Sequence, residues 1–176
     1  MSEPVNRNRL IKAYDLMIER VKARLEEFEQ AEREALPNLQ RTIEHAAEKA
    51  VELGELTHEE AQLVGGYLKR DLQDAGQYLA TTGHDLSAWL RFDLALIEDR
   101  LLELFRSAAD KTRLEMLAFE ETVERASHYV TGEVTGPGTL QCDNCGKLLH
   151  FHATGHIPPC PQCHTTSFSR DLSDIQ

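Results

Sequence analysis

From Leu10 the apolar positions recur at Tyr14, Met17, Val21, Leu25 and Phe28, then at Ala31, Ala35, Leu39, Ile43, Ala46, Ala50 and Leu53, always three or four residues apart. That spacing keeps one face of an α-helix buried. A continuous helix over these 44 residues would rise about 66 Å. Pro37 has no amide proton to donate and predicts a kink rather than a loop, because the stripe continues in phase through Leu39 and Ile43. Gly54 suits a left-handed helix stop, and Thr57 with Glu60 three places on forms a capping-box pattern. Gly54-Glu55-Leu56-Thr57 therefore reads as a tight turn between helices. The second helix is expected from about His58 to Thr82, weakened by Gly65-Gly66, with Gly83 as a further break point. Beyond it Leu90, Leu94, Ile97, Leu101, Leu104 and Ala108 alternate by four and three, a heptad seam that asks for coiled-coil packing. The pattern does not decide whether the second and third helices are one.

After Ser127 the pattern changes. Gly132, Gly136, Pro137, Gly138, Gly155, Pro158 and Pro159 separate short β-prone runs such as Lys147 to His152. The expected organisation is an elongated helical or coiled-coil domain over residues 1–128 and a small β ribbon with a short tail over 129–176. The fold class is mainly α: a long antiparallel helical hairpin or three-helix coiled coil with a small C-terminal β ribbon. A composition that is 28% charged but only 6% aromatic agrees with solvent-bathed helices.

Lys and Arg number 19 against 30 Asp and Glu, a net charge of −11. Such a surface repels phosphate polyanions and anionic lipid. Only Lys147 and Arg170 are cations beyond residue 128, so the ribbon is expected not to bind nucleic acid directly. No stretch reaches the roughly 20 apolar residues of a membrane span, and Met1-Ser2-Glu3-Pro4 opens no signal sequence. A cytoplasmic location is the expectation.

The four cysteines form two Cys-x-x-Cys pairs, Cys142-Asp143-Asn144-Cys145 and Cys160-Pro161-Gln162-Cys163, with 14 residues between them. Two residues between thiols let one tight turn aim both sulfurs at a metal, and two such knuckles complete a tetrahedron. Gly146 after the first pair and Pro161 inside the second suit those turns. So small a module cannot fold on burial alone, which points to one structural Zn2+ per chain held by Cys142, Cys145, Cys160 and Cys163. All four positions are then filled, leaving none for an activated water.

Iron in a rubredoxin-type site is the alternative, and helices followed by such a site look like the layout of rubrerythrin. A diiron bundle needs two Glu-x-x-His motifs, however, and Glu55 to His58 in the turn is the one found. No phosphate loop, catalytic triad or spare thiol is apparent, so no enzyme is expected. His150, His152, His156 and His164 read as surface or strand-face residues, and Trp89, Phe92, Phe105 and Phe119 as packing groups.

Two surfaces are candidates for a protein partner. Glu52, Glu55, Glu59 and Glu60 make an acidic tip at the helical turn; a transcription-apparatus regulator could insert such a tip into a cationic channel. Leu149, Phe151 and Phe168, with Leu148 and Ile157, are many apolar groups for so small a ribbon and suggest docking on another protein. Self-association through the seam at Leu90–Ala108 is a further possibility.

The chain resembles the YbeL-like family of bacterial zinc ribbon-containing proteins. The likeness rests on Gly54-Glu55-Leu56-Thr57 with Lys69-Arg70-Asp71-Leu72, on Asp110-Lys111-Thr112 with Leu114-Glu115, on Gly132-Glu133-Val134 with Gly136, Gly138 and Leu140, and on the four cysteines. It implies a cytoplasmic, non-catalytic zinc ribbon after a helical region, with the four cysteines as ligands. His164 departs from the pattern, in which glycine follows the last cysteine. The functional expectation is a protein-binding or adaptor module on a helical scaffold.

Overall fold

The computed structural model describes residues 3–30, 39–83, 85–119 and 128–170. Helices α1 (Glu3–Gln30), α2 (Leu39–Glu52), α3 (His58–Thr82), α4 (Leu86–Leu90) and α5 (Asp99–Phe119) precede six short strands. Helix α3 is the axis, and each of the other four helices lies against it. Its Ala61, Val64, Leu68, Leu72, Ala75 and Leu79 are buried, one per turn, as the period demands.

Two glycines set how closely the neighbours approach. A Cβ at Gly65 would stand 3.2 Å from Ile43 Cγ2 and 3.7 Å from Met17 Cε, where α1 and α2 converge. A Cβ at Gly76 would meet Thr112 Cγ2 of α5 at 2.7 Å. Gly65 is thus a packing site, whereas Gly66 faces open space. The capping box at Thr57 forms as its sequence pattern predicts, and Gly54 and Gly83 both take left-handed conformations, with φ of 73° and 70°.

The expectation of one long kinked helix from Leu10 to Leu53 is not met. Helices α1 and α2 are separate elements that lie against one another; Pro37, Ala31 and Ala35 fall outside the described residues. The stripe stays in phase because both pieces present it to α3. Lys22 pairs with Glu103 at 2.9 Å, and Glu19 with Arg100, which ties α1 to α5 as well. Packing of all these helices around α3 replaces the picture of a free hairpin.

The seam at Leu90–Ala108 is not one helix either. Asp85 caps α4 by accepting from the Ser87 amide at 3.0 Å, and Arg91 stops it with a φ of 63°. A single 3-10 turn, Leu94–Leu96, follows, opened by Asp93 accepting from the Ala95 amide. Leu90, Ile97, Leu101, Leu104 and Ala108 are nevertheless buried, in contact with this chain's own helices.

Strands β1 (Tyr129–Val130), β6 (Ser167–Ser169), β3 (Gly138–Cys142) and β4 (Leu148–Phe151) form an antiparallel sheet in that order, while β2 (Val134–Thr135) pairs with β5 (Gly155–His156). Tyr129, Leu140, Ile157 and Phe168 make the ribbon's own small core together with Cys142 and Cys160. The change from helix to strand near residue 129 is no break in packing, because Val134 is buried in the helical core. Among the described residues, no helix is long and apolar enough to cross a membrane.

Candidate metal centre

Strand β3 delivers Cys142 at its end, and the hairpin into β4 pairs Leu140 with Leu149 and Gln141 with Leu148. The first knuckle closes as the Gly146 amide donates to Cys142 O at 3.0 Å, with Gly146 at a φ of 77°. The second closes identically: the His164 amide donates to Cys160 O at 2.9 Å, and His164 takes a φ of 64°. His164 thus adopts the left-handed geometry that glycine supplies in the first knuckle, at the steric cost of a β-carbon.

The four sulfurs lie within 4.8 Å of one another, with Cys142 Sγ 3.5 Å from Cys163 Sγ and Cys145 Sγ 3.6 Å from Cys160 Sγ. Zinc–sulfur bonds of about 2.3 Å in a tetrahedron set sulfurs about 3.8 Å apart, so the donor set fits the ion. The local electrostatics favour the thiolate at Cys163 and Cys160 and oppose it at Cys145. The Thr165 hydroxyl, 3.1 Å from Cys163 Sγ, and the Asn144 side chain hold Cys163 down at about 5. Amides of Cys163 and Gln162 lower Cys160. Although the Lys147 amide acts to lower Cys145, burial and its neighbouring sulfurs push it up to about 12. Four thiols this close cannot all ionise without a cation among them. Among the described residues, no other group of His, Cys, Asp or Glu converges in this way.

The other sequence-derived sites scatter. Phe168 is fully buried in the ribbon core and offers no docking surface, and Ile157 is buried beside it. Leu149 and Phe151 are half-buried on the same core, leaving Leu148 exposed. His150 on β4 and His152 just after it both meet the Phe92 ring edge-on. Of the acidic tip, Glu55 is held by Arg20 at 2.6 Å and 2.8 Å, and Glu60 by the capping box and Arg9. Glu52 and Glu59 remain exposed.

Arg170, one of the two cations beyond residue 128, is buried. Its guanidinium lies 4.2 Å from the centroid of the Trp89 ring and 4.9 Å from that of Tyr129, and its Nε donates to Tyr129 Oη at 2.7 Å. Beside it Asp71 accepts from Tyr14 Oη at 2.5 Å and from the Gly136 amide at 2.9 Å, while Tyr129 Oη donates to Asp74. Arg70 stacks on Tyr129 and reaches Glu133 at 2.6 Å. Sequence reasoning missed this cluster, although one signal was there. Val64, Leu68, Asp71 and Ala75 run at spacings of four, three and four, which sets a carboxylate on the buried face of α3.

Comparison with known proteins agrees with the centre. Residues 26–172 match a family model described as a zinc-ribbon containing domain. The uncharacterised protein YbeL of Escherichia coli K12 is 30% identical over 134 residues, 73% of this chain and 79% of the relative. The YbeL proteins of E. coli O6:H1 and O157:H7 match to the same extent. No solved structure matches.

Proposed function

The chain belongs to the family of the zinc-ribbon containing domain, and from that premise we propose that it is a non-catalytic protein-binding adaptor whose ribbon is built on one structural zinc. Cys142, Cys145, Cys160 and Cys163 would hold the ion, which would supply a fixed link between the two knuckles. Zinc is favoured over iron because the rubrerythrin layout lacks a second ligand cluster among the described residues.

The observation that carries the adaptor reading is a groove of about 440 Å³ between α2 and α3. Ala47, Val51 and Ala61 line it with apolar surface, and Glu44, Glu48 and Glu52 line it with negative charge. An amphipathic helix with a basic flank is the partner such a groove fits. The groove replaces the ribbon's apolar hairpin as the docking face, since Phe168 and Ile157 are buried. Direct nucleic-acid binding loses support, because Arg170 is also buried and Lys147 is the ribbon's exposed cation among the described residues. The reading as an inserted acidic tip loses two carboxylates to Arg20 and Arg9.

Quantitative capture from the native cell, comparing the wild type with Ala47→Arg and Leu148→Asp, tests the adaptor role. The reading expects one partner that disappears with Ala47→Arg and survives Leu148→Asp. A partner lost only with Leu148→Asp would return the function to the ribbon.

A further inference from the structure

Asp71 and Asp74 of α3 are buried, 0% and 8% exposed. Carboxylates taken out of water persist only when paired and hydrogen-bonded. The helices supply part of this: the Tyr14 hydroxyl donates to Asp71, and Arg70 Nε lies 3.3 Å from it. The ribbon supplies the rest. Gly136 donates its amide to Asp71, Tyr129 its hydroxyl to Asp74, and Arg170 stands 3.6 Å from a carboxylate oxygen of each. Burial pushes the Asp74 carboxyl above its usual range, and Arg170 offsets part of that rise.

What holds Arg170 there is β6, which is held between β1 and β3 and tied to both knuckles. Phe168 pairs with Cys142, the Asp143 amide donates to Ser167 O at 3.2 Å, and the Cys160 amide donates to Thr165 O at 2.9 Å. Arg170 follows the last cysteine by seven positions. Its guanidinium also meets Trp89, whose ring stacks on Phe105 of α5 with centroids 5.5 Å apart.

We propose that occupancy of the four-cysteine centre is transmitted to the helical bundle through Arg170, which acts as a positioning residue. The metal fixes the knuckles, the knuckles fix β6, and β6 keeps the guanidinium between Asp71 and Asp74. Metal release frees β6 and strands two buried carboxylates, and α3 loosens from α1 and α4. The ribbon is a metal-dependent clamp on the helices, a role that rests on the reading of the centre as a zinc site.

The test uses the full chain, before and after EDTA, with metal content measured alongside helical circular dichroism and the fluorescence of Trp89, the single tryptophan. Zinc loss is expected to shift Trp89 emission to the red and lower the helical melting midpoint by about 10 °C, and added zinc to restore both. In the triple variant Asp71→Asn, Asp74→Asn, Arg170→Met the charges that Arg170 links are gone and only Arg70 with Glu133 still joins α3 to the ribbon by an ion pair among the described residues, so the drop in midpoint is expected to shrink by at least about half. Wild-type protein that loses its zinc yet keeps its helical midpoint overturns the clamp alone. An undiminished drop in the triple variant overturns the route through Arg170. Untreated protein that carries no metal overturns the premise and the clamp with it.

Discussion

Gly138 and Gly66 stand in opposite surroundings. Gly138 has a φ of 146°, and a Cβ there would overlap Arg170 Nη1 and come within 3.3 Å of Trp89. Gly138→Ala should therefore cost about 2–3 kcal/mol in urea unfolding. Gly66 lies on the exposed side of α3 with nothing within 4 Å of a Cβ, and Gly66→Ala should add about 1 kcal/mol. At the second knuckle, His164→Gly relieves a left-handed β-carbon and should stabilise the metal-bound protein by about 1 kcal/mol, read as tighter zinc in competition with a chromophoric chelator. The cysteines and Gly146 were legible at this scale because a metal site demands both residue type and spacing. Arg170 was not, since one cation at the end of a strand looks the same whether it meets water or two carboxylates contributed by α3, about 100 residues away.

At the scale of elements, helix ends were the most legible feature. Thr57, Glu60, Gly54 and Gly83 act locally, so their chemistry survives whatever the tertiary structure does. Thr57→Ala removes a cap and should cost about 1 kcal/mol, measured by thermal melting. Helix continuity was less legible. A stripe of three-and-four spacing records which face is buried, and it reads alike for one helix or for two that fold back onto a common neighbour, as α1 and α2 do on α3. The same ambiguity hid the break at Arg91 within the seam. Arg20 on α1 braces the α2–α3 turn by donating to both oxygens of Glu55, which holds that carboxyl below its usual 4.5. The folded state thus favours ionised Glu55. Its contribution is full above about pH 4.5 and is lost as pH falls through the lower folded value. The pair is partly exposed, so Arg20→Gln should cost no more than about 1 kcal/mol at pH 7 and less in acid, seen by urea titration across pH.

At the scale of the whole molecule, a helical bundle and a metal ribbon share buried surface through Val134, Tyr129 and Arg170, and the metal centre becomes a support for both. Elemental analysis of the full chain, purified without added metal and read beside its visible spectrum, tests the centre on which this rests. The account predicts one zinc per chain in a colourless protein, with the zinc lost in Cys160→Ser. Iron as the dominant metal with thiolate-to-iron absorption, or zinc retained in full by Cys160→Ser, would contradict it.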